Sequence, residues 1–297
     1  MEASLATAVE EAARGALGAR FRIAQAEPAA GGCIHQNWIA GHGAQRIFVK
    51  TSAAVNLPVF EAEADALAAL GASHAIRTPT VFASGAHGNH AFLILEYLPL
   101  RPMQAAEAER CAEALARLHG TVGEHYGWHR DNFIGLTPQQ NSPKPDWPAF
   151  FARQRLAPQF AEAARRGYRG DLQAHGERII DKIGAFFLER RPEPALLHGD
   201  LWSGNIAVMP DGDPVVFDPA SYYGDREADF AMSELFGGLP DRFYLAYTRA
   251  APLAEGYPQR RTLYNLYHML NHLNLFGASY LRQVERMARE LSEYLRR

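Results

Sequence analysis

The chain lacks several things, and each absence narrows what it can be. It has no apolar run long enough to cross a bilayer. Its opening residues, Met1-Glu2-Ala3-Ser4, lead into the acid-bearing Glu10-Glu11 stretch rather than into a signal core, so neither membrane nor export is expected. It has no basic stripe: 30 Lys and Arg stand against 33 Asp and Glu, and nucleic acid is not an expected partner. Its two cysteines, Cys33 and Cys111, are too few for a disulfide framework and suit a reducing compartment. There is no G-x-G-x-x-G and no Walker A lysine, which disfavours a P-loop nucleotide site, and no Cys/His spacing for structural zinc. Internal repeats are absent too. The expectation is a cytoplasmic globular protein whose 297 residues suffice for one large domain or two lobes.

What is present centres on Leu197-His198-Gly199-Asp200-Leu201-Trp202-Ser203-Gly204-Asn205, followed by Val215-Val216-Phe217-Asp218. Asp211-Gly212-Asp213 marks a turn between two apolar runs, Ile206 to Val208 and Val215 to Phe217. The spacing therefore puts Asp200, Asn205 and Asp218 at the ends of adjacent elements, where their side chains can converge. One carboxylate to take a hydroxyl proton, beside an amide and a second carboxylate to hold magnesium, is what phosphoryl transfer requires.

Upstream, an Ala-rich helix over residues 4 to 18 precedes three short strands at Phe21 to Ile23, Ile34 to Ala40 and Ile47 to Lys50, with Gly41-His42-Gly43 as a turn. Pro58 opens a helix that Gly71 closes, and on it Phe60, Glu63, Leu67 and Leu70 share one face. A carboxylate on a buried face needs a cation, and Lys50 ends the strand just before. Strands at Thr80 to Ala83 and Phe92 to Leu95 follow, the second running into Glu96-Tyr97-Leu98-Pro99. The remainder reads as mostly helical, with helices at Ala108 to His119, roughly 146 to 166, and two more carrying Leu263 to Leu273 and Tyr280 to Leu295. The fold class is α+β: an antiparallel five-stranded sheet with one helix, then a helical half. The boundary falls between residues 1–98 and 99–297.

With Lys50, Glu63, the Glu96 segment and the Asp200, Asn205, Asp218 series in place, the chain resembles a protein-kinase-like two-lobed fold. Gly199 stands where protein kinases carry an arginine that clasps a phosphorylated loop, and only ten residues separate Asp218 from Asp229. That departure implies a small-molecule kinase needing no activating phosphorylation. The finer motifs, Gly31 to Trp38, Asp131 to Gln139, Leu201 to Asn205 and Asp218 to Asp225, resemble the fructosamine kinase (ketosamine-3-kinase) family, and the likeness runs nearly the whole length.

The resemblance implies ATP-dependent phosphorylation of the 3-hydroxyl of a ketoamine, free or protein-bound, after which the unstable phosphate eliminates and the amine is freed. It implies Asp200 as base, Asn205 and Asp218 as magnesium ligands, and Lys50 on the phosphates paired with Glu63. Gly31 and Gly32 would lie near the nucleotide, and the backbone of Glu96, Tyr97 and Leu98 would hold adenine. His35, Asn132, Trp202 and Asp225 are candidates for the sugar, although His35 and Asn132 equally suit loop ties and Trp202 equally suits packing under the catalytic loop. Asp229 reads as a helix cap or a brace behind that loop. Cys33, beside the glycine pair, is a candidate redox switch, in a monomer or a redox-linked dimer. Two alternatives stay open: a kinase for an aminoglycoside or amino alcohol, and a nucleotide-binding regulator without turnover.

Overall fold

The computed structural model describes residues 1–29 and 34–296, so Gly31, Gly32 and Cys33 lie outside the described residues. Helix α1 (Ala3–Leu17) is followed by strands β1 (Gln25–Pro28), β2 (Gln36–His42) and β3 (Gln45–Ala53). Helix α2 (Leu57–Ala72) then leads to β4 (Val81–His87) and β5 (His90–Glu96). The five strands form one antiparallel sheet in the order β1-β2-β3-β5-β4.

Strand parity decides what each face of this sheet carries. Ile47 and Val49 of β3, with Phe92 and Ile94 of β5, pack with Leu5, Val9 and Ala13 of α1. Phe48, Leu93 and Leu95 turn the other way and pack with Phe60 and Leu67 of α2. Lys50 shares the parity of Phe48, so the alternation that builds the sheet also delivers its amine to α2.

The remainder is helical with small β ribbons. In chain order it comprises α3 (Ala108–His119), β6 (Asn132–Ile134), β7 (Thr137–Gln139), α4 (Trp147–Phe151), α5 (Ala157–Arg165) and α6 (Asp171–Asp181). After these come β8 (Ala195–Leu196), β9 (Ile206–Val208), β10 (Pro214–Val216), β11 (Tyr223–Gly224), α7 (Glu227–Ser233), α8 (Asp241–Ala250), α9 (Tyr257–Phe276) and α10 (Leu281–Tyr294). Helix α9 runs through the middle with 13 of its 20 residues buried, which is why its apolar pattern goes almost all the way round. No described helix is long and apolar enough to cross a membrane.

Several expectations shift. Phe21 to Ile23 form no strand; Phe21 plugs the space between α1 and the sheet at 1% exposure, and the strand begins at Gln25. The turn before β3 is tighter than expected, at residues 43 and 44. The stretch from 146 to 166 is helical but interrupted by a π turn over Ala152–Leu156. Helices α6 and α8 add to the expected elements, and their apolar residues are patterned as clearly as those of α1.

Candidate active site

The donor side of the cleft is an ion-paired chain. Lys50 Nζ lies 2.6 Å from Glu63 Oε1 and 2.6 Å from Asp218 Oδ1, although the two carboxylates come from elements far apart in sequence. Burial works against the Lys50 charge, but Asp218 and Glu63 outweigh it and hold the ammonium well above its ordinary range. Burial pushes the Glu63 carboxyl up, to about 7, against the pull of Lys50. Asp218 has φ of 58°, a left-handed conformation that a short polar residue tolerates and that Pro219 then follows. His35 belongs to this side: its ring packs on Phe60 of α2 at 4.8 Å, and Lys50 and Asp218 both act on its titration. Burial, then Lys50, lower it to about 4, so it is neutral at pH 7, and its buried Nδ1 has no hydrogen-bond partner among the described residues.

The expected convergence around the central motif is present. Asn205 Nδ2 donates to the Asp200 backbone carbonyl at 2.9 Å and to Asp200 Oδ2 at 3.3 Å. His198 Nδ1 accepts from Asp200 N–H at 3.2 Å, which leaves Nε2 protonated and donating to the Phe217 carbonyl at 2.9 Å. One neutral imidazole thus ties the residue bearing the candidate base to the residue before Asp218. Burial, helped by Asp218 and Asp229, pushes the Asp200 carboxyl up to about 7, poised near neutrality as a general base should be.

Gly199 is glycine for a steric reason that spacing alone does not reveal. Its φ is 84°, and a Cβ there would stand 2.1 Å from the carbonyl oxygen of Ala220. The catalytic loop and the segment after Asp218 lie against one another, with Ala220 N–H donating to His198 O at 2.9 Å. Asp229 lies within α7 and does not cap it. Its carboxylate takes the backbone N–H groups of His198 at 2.6 Å and Gly199 at 2.8 Å. His119 supports it from behind at 3.2 Å and is itself bonded to Tyr247 Oη at 2.6 Å. Burial would raise the Asp229 carboxyl, yet these partners bring it below its ordinary range. His119 and Tyr247 carry no sequence signal for this role.

The other predicted residues separate. Asp225 does not reach the cleft: it is fully buried, chelated by Arg190, and takes Tyr264 Oη at 2.5 Å and Glu227 N–H at 3.0 Å. Asn132 is also spent inside, donating to Ser221 O at 2.8 Å and accepting from Gln139 and Asn141. Neither is a sugar ligand in this arrangement. Trp202 is not packed beneath the loop; it folds over Gly204, meets Phe236 edge-on at 6.1 Å and keeps 37% of its surface exposed. Glu96 turns its carboxylate away from the cleft, onto Arg77 at 2.8 Å and Thr80 at 3.0 Å. Tyr97 stacks under the Arg46 guanidinium at 4.2 Å, and Leu98 is buried.

The polar residues of α9 divide as well. Asn271 and Asn274 tie that helix to Gln159, whereas His268 Nδ1 lies 4.0 Å from Asp200 Oδ1. His272 sits among Phe236, Phe276 and Tyr280 with ring centroids 4.8 to 5.4 Å apart. His268 is thus the imidazole of this helix beside Asp200.

Among the described residues no group of three or more His, Cys, Asp or Glu side chains forms a metal cage. A hard cation held by Asp218 and the Asn205 oxygen would draw its other oxygens from phosphate and water, the habit of magnesium in nucleotide sites. The donor set fits that ion.

Fold and site together define a phosphotransferase of the protein-kinase-like class. The fructosamine kinase family model matches residues 5–294, and the chain belongs to that family. It is 43% identical to the probable ketoamine kinase of a Synechocystis strain over 92% of both chains. A Haemophilus somnus crystal structure, provisionally named a fructosamine-3-kinase, superposes with a TM-score of 0.88 at 30% identity, covering 95% of this chain and 96% of that one. The aminoglycoside phosphotransferase APH(4)-Ia, solved with ADP and hygromycin B, shares the fold at a TM-score of 0.65 and 15% identity, covering 97% of each.

Proposed function

We propose that the protein is an ATP- and magnesium-dependent ketosamine-3-kinase of the cytoplasm, acting in deglycation, with its lobes divided at residues 98 and 99. The observation that carries this reading is the meeting of Asp200, Asn205 and the Lys50–Asp218 pair within a chain that matches the family almost end to end.

In this reading Asp200 accepts the proton of the substrate 3-hydroxyl as the new O–P bond forms to the γ-phosphorus and the bond to the bridging oxygen of ADP breaks. Lys50 leaves Asp218 for the α/β-phosphates while Glu63 keeps its amine in place. His35 Nδ1, when it carries the ring proton, offers the phosphates a donor. Magnesium at Asp218 and Asn205 would neutralise charge growing on the phosphates. The protein's part is chiefly positioning and electrostatics. His268 beside Asp200, and Trp202 with its neighbour Phe236, would receive the ketoamine. A site for polycationic aminoglycosides calls for a field of carboxylates, which this wall of rings and neutral imidazoles does not offer.

The test is ATP consumption across fructosamine, ribulosamine and erythrulosamine substrates, with an aminoglycoside and choline as competitors and Asp200→Asn as control. Turnover confined to the ketoamines and lost in the variant is the expected result. Turnover with choline or an aminoglycoside alone, or with no acceptor at all, overturns the assignment.

A further inference from the structure

Arg155 is the anomalous charge of this fold. Its side chain is completely buried, and no salt bridge to a carboxylate forms among the described residues. The guanidinium donates instead to the carbonyls of Gln140 at 2.5 Å and Gln154 at 3.0 Å and to Asn141 Oδ1 at 2.6 Å, while Nε has no partner among the described residues. It also lies over the rings of Tyr222 and Phe150, 4.0 and 4.7 Å from their centroids. A buried charge without a counter-charge is costly, and apolar side chains of similar size commonly serve stability better. The chain nevertheless interrupts a helix with a π turn, Ala152–Leu156, in the segment that presents this residue. The bonds of Arg155 run to fixed acceptors around it, so the residue sets their position as well as contributing contacts.

What Arg155 holds leads to the active centre in two short paths. Tyr222, under the guanidinium, is four residues past Asp218, and its carbonyl accepts from Leu197 N–H at 3.0 Å, just before the catalytic loop. Asn141, fixed by Arg155, donates to Asn132 Oδ1 at 2.7 Å, and Asn132 in turn holds the Ser221 carbonyl. Gln139 Nε2 also donates to Asn132 Oδ1, at 2.8 Å, and to Ala220 O at 3.3 Å, the atom against which Gly199 packs.

We propose that Arg155 is a positioning residue: a permanent clamp that holds the Pro219–Tyr222 segment against the catalytic loop, so that the cleft is competent without covalent modification. The proposal rests on the reading of Asp200 as base and Asp218 as metal ligand. It replaces an external phosphate–arginine clasp by an internal one made of a guanidinium, three amides and a ring.

Arg155→Met keeps length and removes charge and donors. Its melting temperature should fall modestly, because two carbonyls and Asn141 Oδ1 lose their donor, while kcat per folded molecule falls about tenfold or more, the scale of a small misplacement of reacting groups. By calorimetry, nucleotide affinity without magnesium should be unchanged, and the gain that magnesium adds should shrink about fivefold. Arg155→Lys, with charge but no planar fork, should not rescue. Hydrogen exchange at residues 220–222 should quicken in Asn141→Ala, a milder cut in the same chain that covers the case of Arg155→Met failing to fold. Normal kcat and magnesium response in Arg155→Met, full rescue by Lys, or unchanged exchange in Asn141→Ala overturns the clamp. Asp200→Asn assayed in parallel separates the two layers: if it turns over normally, the reading of the site fails, whereas an inactive Asp200→Asn beside a normal Arg155→Met removes the clamp alone.

Discussion

The two sides of the cleft are built from different chemistry. The donor side is charged: Lys50, Glu63 and Asp218 form a chain of contacts at 2.6 Å, and each side chain is answered by another. The side proposed for the acceptor, beside Asp200, has Trp202 and His272 against the ring of Phe236 and a His268 whose titration burial pushes down to about 3. Phosphates come with fixed charge and can be met by fixed counter-charge. A sugar bearing one amine is better met by ring faces and neutral donors.

Breaking the site where the two sides meet should have the largest effect. Asp200→Asn is expected to lower kcat by a factor of about 10² to 10⁴ with ATP binding intact, measured by steady-state kinetics beside calorimetry. Cutting the donor side comes next: Asp218→Ala should abolish the magnesium-dependent part of nucleotide affinity, and binding titrations with and without the ion decide it. A cut on the acceptor side should read differently. Trp202→Ala should raise the ketoamine KM about tenfold, the worth of one stacked ring, and leave the ATP KM alone. A rise in both would erase the distinction between the sides.

A smaller effect separates the sides by pH. His268 is 5% exposed, and its folded-state titration lies below the unfolded value of about 6.5. As pH falls below 6.5 the unfolded chain takes a proton that the folded imidazole refuses, so this residue destabilises the fold progressively until pH reaches its folded value. Glu63 and Asp200, raised to about 7, have the opposite sign, because the folded state takes up their protons first. His268→Asn should therefore flatten the loss of stability on acidification between pH 6 and 4 by about 1.4 kcal/mol per pH unit, read from urea melts.

Much of this was legible from residue order. The spacing of Asp200, Asn205 and Asp218, the shared face of Phe60 and Glu63, and the turn at Asp211 to Asp213 are local signals, and the structure has the corresponding elements in place. What sequence could not supply was orientation at a distance. Asp225 stands in a motif beside catalytic residues, yet Arg190 and Tyr264, remote in the chain, draw it inward. Asn132 was lost to the same effect, through Gln139 and Asn141. Arg155 was invisible because an arginine inside a helix ordinarily lies at the surface, whereas this one lies buried in a π turn. Cys111 lies buried in the larger core, its thiol pushed up by burial to about 12.

The most direct measurement is phosphorus NMR of the product formed from ATP and a ribulosamine, with carbon coupling to locate the ester. The account predicts phosphate on O3, followed by release of inorganic phosphate and free amine. A stable ester on any other hydroxyl would contradict it.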